Sequence, residues 1–278
     1  MFVTDGTYSI VVVLATYNRA HLLKRSLKLY EKSEALLLVM DDDSNDDTYM
    51  ICKLSSCPIY YIQLPSKNGK WRDSASILNR GISHAIYKFR ALTIFITHPE
   101  IIPGLETINA CKDLAVSNST WINAKGYYLG IDQQKILDSI DWKTDPLNIR
   151  KLPGFYNDSV SEFQNKDYTP DSIDKIDVWD SWIFGGGSAD MWNAFGGLTE
   201  FETWGSVDVD LLNRRVKLNM DTVTPKSEKA IVIHQNHDDP AYNVLTPRNM
   251  EKCMAVLPDY NSEDPRKPNL ISNQRWQL

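Results

Sequence analysis

Residues 9–15, SIVVVLA, form a continuous apolar, β-branched run with no polar alternation, and they constrain this chain more than any other feature. Such a run reads as a strand buried on both faces, the situation of a strand inside a parallel sheet. A helical pattern follows over about residues 19–32, with Leu22, Leu23, Leu27 and Leu29 near one side and Asn18 placed to cap it. A second apolar run covers residues 35–40, and the alternation then repeats: a helix near 46–54, a strand near 58–63, a helix near 73–89 and a strand at 92–97. This order predicts an α/β fold with a mostly parallel central sheet flanked by helices. Ligands of such sheets bind beyond the carboxyl ends of the strands, so the polar residues just after each strand are the first candidates for a site.

At 278 residues the chain is long enough for one continuous domain, expected over residues 1–258 with an extended tail at 259–278. The 36 acidic residues outnumber the 30 basic ones, which argues against a broad nucleic-acid-binding surface. Four cysteines lie in no CxxC or zinc-finger spacing, so a reduced, cytoplasmic setting is the expectation, although Cys52 and Cys57 are spaced so that they could bridge. Residues 1–9 do not resemble a secretory signal, and no apolar run approaches the roughly 20 residues that span a bilayer, so a soluble protein with no transmembrane segment is predicted. Periodicity weakens after residue 130. Residues 141–177, rich in Asp, Pro, Asn and Lys, read as long loops or a lid; order returns at 178–184, passes a Gly-rich turn and ends in a strand at 230–233.

Several polar segments sit where a site is expected. Residues 41–48 read DDDSNDDT directly after a strand: carboxylates there can accept hydrogen bonds from a base imide or ribose hydroxyls, and Ser44, Asp46 and Thr48 suit a helix cap. A solvated acidic turn is the plainer alternative. Residues 68–75, NGKWRDSA, place Lys70 and Arg72 at a helix start, which favours an anion. Residues 97–101 read THPEI, in which His98 and Glu100 are both capable of metal ligation. Later come FGGGSAD at 184–190, FGGLTE at 195–200, WGSVDVDL at 204–211 and HQNHD at 234–238.

The pairing of Ala15-Thr16-Tyr17-Asn18 with DDDSNDDT resembles the opening of family 2 glycosyltransferases of the GT-A fold. That resemblance implies that Thr16, Tyr17, Asn18, Asp41 and Asp42 hold the nucleoside, with Tyr17 flanking the base and Asp42 reading it, commonly uracil. The NGKWRDSA segment, with Asn79, Gly81 and Ala85 after it, looks like the family's diphosphate region and assigns Lys70 and Arg72 to the donor. The family's acidic DxD motif is replaced here by His98-Pro99-Glu100, which departs from the pattern.

The Gly-Gly turns and WGSVDVDL resemble the acceptor-side signature of galactosyltransferase-like GT-A enzymes. The match makes Asp208 the general base of an inverting transfer and places Trp182, Gly186, Gly187, Trp204 and Asp210 around the acceptor. Val207 stands where that signature usually has Glu. His237, with His234 three residues earlier, is implied to complete a manganese or magnesium shell with Glu100 and His98.

The donor half is then about residues 1–103 and the acceptor half 104–258. The expected partners are a nucleotide diphosphate sugar, such as a UDP-sugar, and a saccharide-type or other hydroxyl-bearing acceptor. Two other readings stay open: a sugar-phosphate nucleotidyltransferase, which would release pyrophosphate, and a non-catalytic sugar-binding relative, motivated by His98 and Val207.

Overall fold

The computed structural model describes residues 6–66, 72–104, 106–115, 117–152, 184–200, 207, 211, 214–215, 218–227 and 229–237. Strands β1 (Ile10–Thr16), β2 (Leu36–Asp41) and β4 (Thr93–Thr97) are buried along their whole length, as their unbroken apolar runs require. With β3 (Ile59–Gln63), β6 (Thr120–Asn123), β8 (Phe184–Ser188) and β9 (Asp221–Val223) they form a seven-stranded sheet ordered β3-β2-β1-β4-β8-β6-β9. The first four strands of that order pair in parallel, and β8 runs antiparallel to both β4 and β6. A second sheet, β5-β10-β7, joins β5 (Ile101–Pro103), β10 (Ile231–His234) and β7 (Lys125–Tyr128).

Strand alternation sorts the core into two layers. Val11, Val13, Leu38 and Met40 face α3 (Ser74–Ser83) and α6 (Ala189–Phe195), where Leu78, Ile82, Trp192 and Phe195 meet them. Ile10, Val12, Leu14, Leu37 and Val39 face α1 (Ala20–Tyr30) and α4 (Thr107–Leu114) through Leu23, Leu27, Tyr30 and Ile108. On α3, Gly81 is a packing requirement, because a Cβ there would lie 2.2 Å from Val13 Cγ1. Near the small sheet a third cluster gathers Ile102, Tyr127, Ile231 and Ile233 with Leu137, Trp142, Ile149 and Leu152.

The predicted elements through residue 97 are found within a few residues, with α2 at Thr48–Leu54 and the long helix near 73–89 divided into α3 and a wider π-type segment, His84–Lys88. Three expectations are corrected. Order does not fade after residue 130: α5 (Ile131–Ile136) and the 3-10 turns Leu137–Ser139 and Pro146–Lys151 carry Trp142 and Ile149 into the third cluster. The loop reading of 141–177 therefore fails over 141–152, while 153–177 lies outside the described residues.

The predicted Gly-rich turn is instead β8, in the middle of the sheet. A Cβ on Gly186 would lie 2.1 Å from the Ile94 oxygen, and one on Gly187 would lie 2.8 Å from that of Thr120. Close strand approach requires glycine at both positions, whatever their part at the acceptor. Finally, Asn18 does not cap α1, as the site geometry makes clear below. No described helix is long and apolar enough to cross a membrane.

Candidate active site

The chain builds β1, β2 and β3 outward in one direction, then returns to place β4 on the other side of β1. The carboxyl ends of β1 and β4, where the order reverses, are the usual ligand position in open α/β sheets. The register Leu14↔Thr97 sets those two ends side by side. Thr16, Tyr17 and Asn18 leave β1 on one side; His98, Pro99 and Glu100 leave β4 on the other.

On the β1 and β2 side, polar groups form one cradle. Asn18 takes a left-handed backbone (φ 51°); its N–H donates to Ser44 Oγ at 2.9 Å, and its side-chain oxygen accepts from the Asn45 N–H at 2.9 Å. The first turn of α1 is satisfied across the loop by Asp46, whose Oδ2 accepts from the Ala20 N–H at 2.9 Å. Asp46 Oδ1 accepts from the Thr48 N–H at 3.0 Å, so one carboxylate serves the starts of both α1 and α2. Burial works against ionisation of Asp46, but the hydrogen bonds from Thr48 and Ala20 outweigh it and hold the carboxyl below its ordinary range.

Asp41 is spent inside the protein, accepting from the Ser44 N–H at 2.9 Å and from the Tyr61 hydroxyl. The Asp42 carboxylate is buried against Arg72, whose guanidinium donates to Oδ1 at 2.5 Å and to the Pro65 carbonyl at 2.7 Å. Arg72 thus stands beside the predicted base-reading acid. Thr16 Oγ1 is buried with no hydrogen-bond partner among the described residues, while the neighbouring Tyr17 is 47% exposed. Lys70 lies outside the described residues.

On the β4 side, a tight turn at Pro99, closed by Ile101 N–H donating to the His98 carbonyl at 3.1 Å, swings Glu100 toward the end of β10. There Glu100, His234 and His237 present ligand atoms that all lie within 4.8 Å of one another. His237 Nε2 is 3.8 Å from Glu100 Oε1, and the two imidazoles stack with centroids 5.4 Å apart. Buried Nδ1 of His237 has no hydrogen-bond partner among the described residues. One carboxylate and two imidazoles this close fit a divalent cation.

His98, expected among the ligands, falls outside that trio and lies alongside, its charge coupled to Glu100, Arg19 and His237. Burial lowers the His98 pKa against the pull of Glu100. Burial likewise pushes His234 down to about 4, again opposed by Glu100. Burial disfavours the Glu100 carboxylate, yet His98, His234 and His237 together hold it below its ordinary value. The trio is therefore disposed to offer a carboxylate with a neutral His234 imidazole at neutral pH.

Gln235 carried no signal in the sequence, being one more polar residue in HQNHD. It is fully buried, its N–H donates to the Glu100 carbonyl at 2.9 Å, and its side chain donates to the Leu22 carbonyl at 3.1 Å and accepts from Arg25 at 2.7 Å. Those bonds tie the Glu100 turn, the His237 loop and α1 together. Arg25 in turn pairs with Asp138 at 2.9 Å.

A second buried clamp holds the loop after α6. Asn79 exchanges two 2.8 Å bonds with the Leu198 backbone, and Arg214 donates to the Gly197 carbonyl at 2.7 Å and to that of Phe195. Trp182, Trp204, Asp208 and Asp210 lie outside the described residues.

No protein-family model matches the sequence, and no curated protein matches it either. Similarity is found at the level of structure. A crystal structure of residues 1–349 of TarS from S. aureus in complex with UDP-GlcNAc superposes with a TM-score of 0.59 at 14% identity, covering 96% of this chain and 72% of that one. The same fragment without that ligand gives 0.57, and a longer TarS structure gives 0.56, with this chain spanning 43% of its length. Taken with the sheet order, this likeness shows that the chain has the GT-A fold.

Proposed function

We propose that this protein is a glycosyltransferase that moves a sugar from a nucleotide diphosphate sugar, a UDP-sugar, to a hydroxyl of a saccharide-type acceptor. One observation carries the reading: at the carboxyl ends of neighbouring strands, Asp42 after β2 is held against Arg72, and Glu100 after β4 is gathered with His234 and His237. A uracil edge presents an imide N–H beside carbonyl oxygens; Asp42 offers an acceptor for the first and Arg72 donors for the second. Tyr17 offers an exposed ring for the base to lie on, and beside it in sequence the buried Thr16 hydroxyl has no partner among the described residues. The TarS complex with UDP-GlcNAc supports this choice of donor by its shared fold.

Beyond β4 and β10, Glu100, His234 and His237 would hold a divalent cation, which when bound neutralises diphosphate charge and favours its departure. Asp208 is the proposed base: its carboxylate takes the proton of the acceptor hydroxyl as that oxygen attacks the anomeric carbon, and the configuration there inverts. The Asn79 and Arg214 clamp holds the loop that leads into this segment. Trp204, Trp182 and Asp210 are assigned to the acceptor, and Lys70 to the diphosphate.

The test is release of UDP from a panel of UDP-sugars with a divalent cation, in wild type and Asp208→Asn. Wild type should release UDP, and the variant should be slower by about 10²-fold or more while binding UDP normally. Release of pyrophosphate from a nucleoside triphosphate would overturn the reaction class, and unimpaired turnover of Asp208→Asn would overturn the base.

A further inference from the structure

We infer that the Glu100, His234 and His237 site selects a nitrogen-accepting first-row transition ion and discriminates against magnesium. The inference rests on the trio being the metal site of the proposed transferase, and it goes further by fixing the class of ion. Two of the three donors are imidazole nitrogens. Magnesium is a hard ion that dehydrates reluctantly and prefers an octahedral oxygen shell, whereas imidazole suits zinc, cobalt, iron and nickel and is accepted by manganese. Two imidazoles and a carboxylate, with the remaining positions left for water or substrate oxygens, are a set that first-row divalent ions occupy readily.

The sequence itself removes the usual route to an oxygen-rich shell. His98 and Glu100 are the polar side chains at the turn that follows β4, and only Glu100 contributes an oxygen to the trio. Gln235 bonds the backbone of Glu100 to that of the histidine loop, and Arg25 fixes the Gln235 side chain, so the two segments that carry the three donors are held together by buried hydrogen bonds. With those segments held together both imidazoles stay beside the carboxylate, so an ion at this site meets a nitrogen-rich set of protein donors.

Titration of the full chain, stripped with a chelator and free of nucleotide, tests this directly. Cobalt(II) should produce visible d–d absorption on binding, zinc should displace it, manganese should compete roughly tenfold or more less well, and a large excess of magnesium should leave the spectrum unchanged. Loss of either imidazole, in His234→Ala or His237→Ala, should weaken cobalt binding by more than about tenfold. Replacing a nitrogen by an oxygen in His237→Asp should narrow the preference for cobalt over magnesium, provided circular dichroism shows a folded chain.

Magnesium displacing cobalt at comparable concentration overturns the inference. So does a cobalt spectrum that survives loss of both histidines, or the absence of any bound ion. If the wild-type ion preference holds but no UDP-sugar is turned over, the transferase reading falls and the metal assignment stands.

Discussion

The loops beyond β1 and β2 and those beyond β4 and β10 are built differently. On the first side, Asp41 and Asp46 each accept two or more hydrogen bonds from the protein and Asp42 holds Arg72 at 2.5 Å, so these carboxylates are satisfied by the protein itself. On the other side, Glu100, His234 and His237 converge within 4.8 Å, the imidazoles stack, and His237 Nδ1 is buried without a partner among the described residues. The first arrangement stabilises the fold and offers a ligand what remains; the second keeps donors together whose return comes when something binds. Local departures from self-satisfaction are where function is expected to reside.

The largest expected effect breaks the first side, proposed to hold the nucleoside. Asp42→Ala strands a largely buried guanidinium, and loss of one partner from such a pair costs about 3 kcal/mol. Urea unfolding should show that loss, and UDP should no longer raise the melting temperature. A change below about 1 kcal/mol would mean that the pair behaves as a solvent-screened surface contact, and that this side is no more built than the other.

Acid should act on the opposite side. His234 has its pKa lowered from 6.5 to about 4 in the fold, so between those values the unfolded chain takes up a proton that the folded chain refuses. His234 therefore withdraws stability as pH drops below about 6.5, by at most roughly 3 kcal/mol on reaching pH 4, and the buried His98, also lowered, adds a loss of the same sign. Glu100, held below its ordinary pKa, adds a loss of the same sign at the lower end of this window. Unfolding midpoints at pH 7.5, 5.5 and 4.5, in chelator, should decline in that order, and His234→Gln should flatten the upper part of the decline. A midpoint independent of pH down to 5 would show that the imidazole is solvated in the folded state.

The same contrast explains what could be read from the sequence. β1, β2 and β4 were legible because a strand covered on both faces must be apolar throughout, and Ile10–Thr16 and Leu36–Asp41 are nearly so. The loop carboxylates were legible as a group because they follow a strand directly, but not in detail. Asn18 had the chemistry of a cap for α1, yet Asp46, 26 residues beyond Ala20, makes the bond, and only the side-by-side placing of β1 and β2 brings it there.

β8 was misread because glycine has little strand preference of its own; Phe184–Ser188 is extended because β4 and β6 crowd it from both sides and admit no side chain at Gly186 or Gly187. Gln235 was silent for a related reason. An amide in a polar run means nothing until its neighbours in space, Leu22, Arg25 and Glu100, are known.

Tyr17 gives the smallest effect on stability and the clearest separation of binding from folding. Its ring is 47% exposed, so Tyr17→Ala should leave the unfolding midpoint within about 0.5 kcal/mol of wild type. A base stacked on an aromatic ring is worth about 1–3 kcal/mol, so UDP affinity should fall by roughly 5-fold to 100-fold in calorimetry. Tyr17→Phe keeps the ring and should restore the affinity. Asp42→Ala damages folding and binding together, whereas Tyr17→Ala should damage binding alone, which is the behaviour expected of a half-exposed ring. Should Tyr17→Ala instead unfold the protein as readily as Asp42→Ala, the ring belongs to the core of the loop; should UDP bind it as tightly as wild type, the base lies elsewhere.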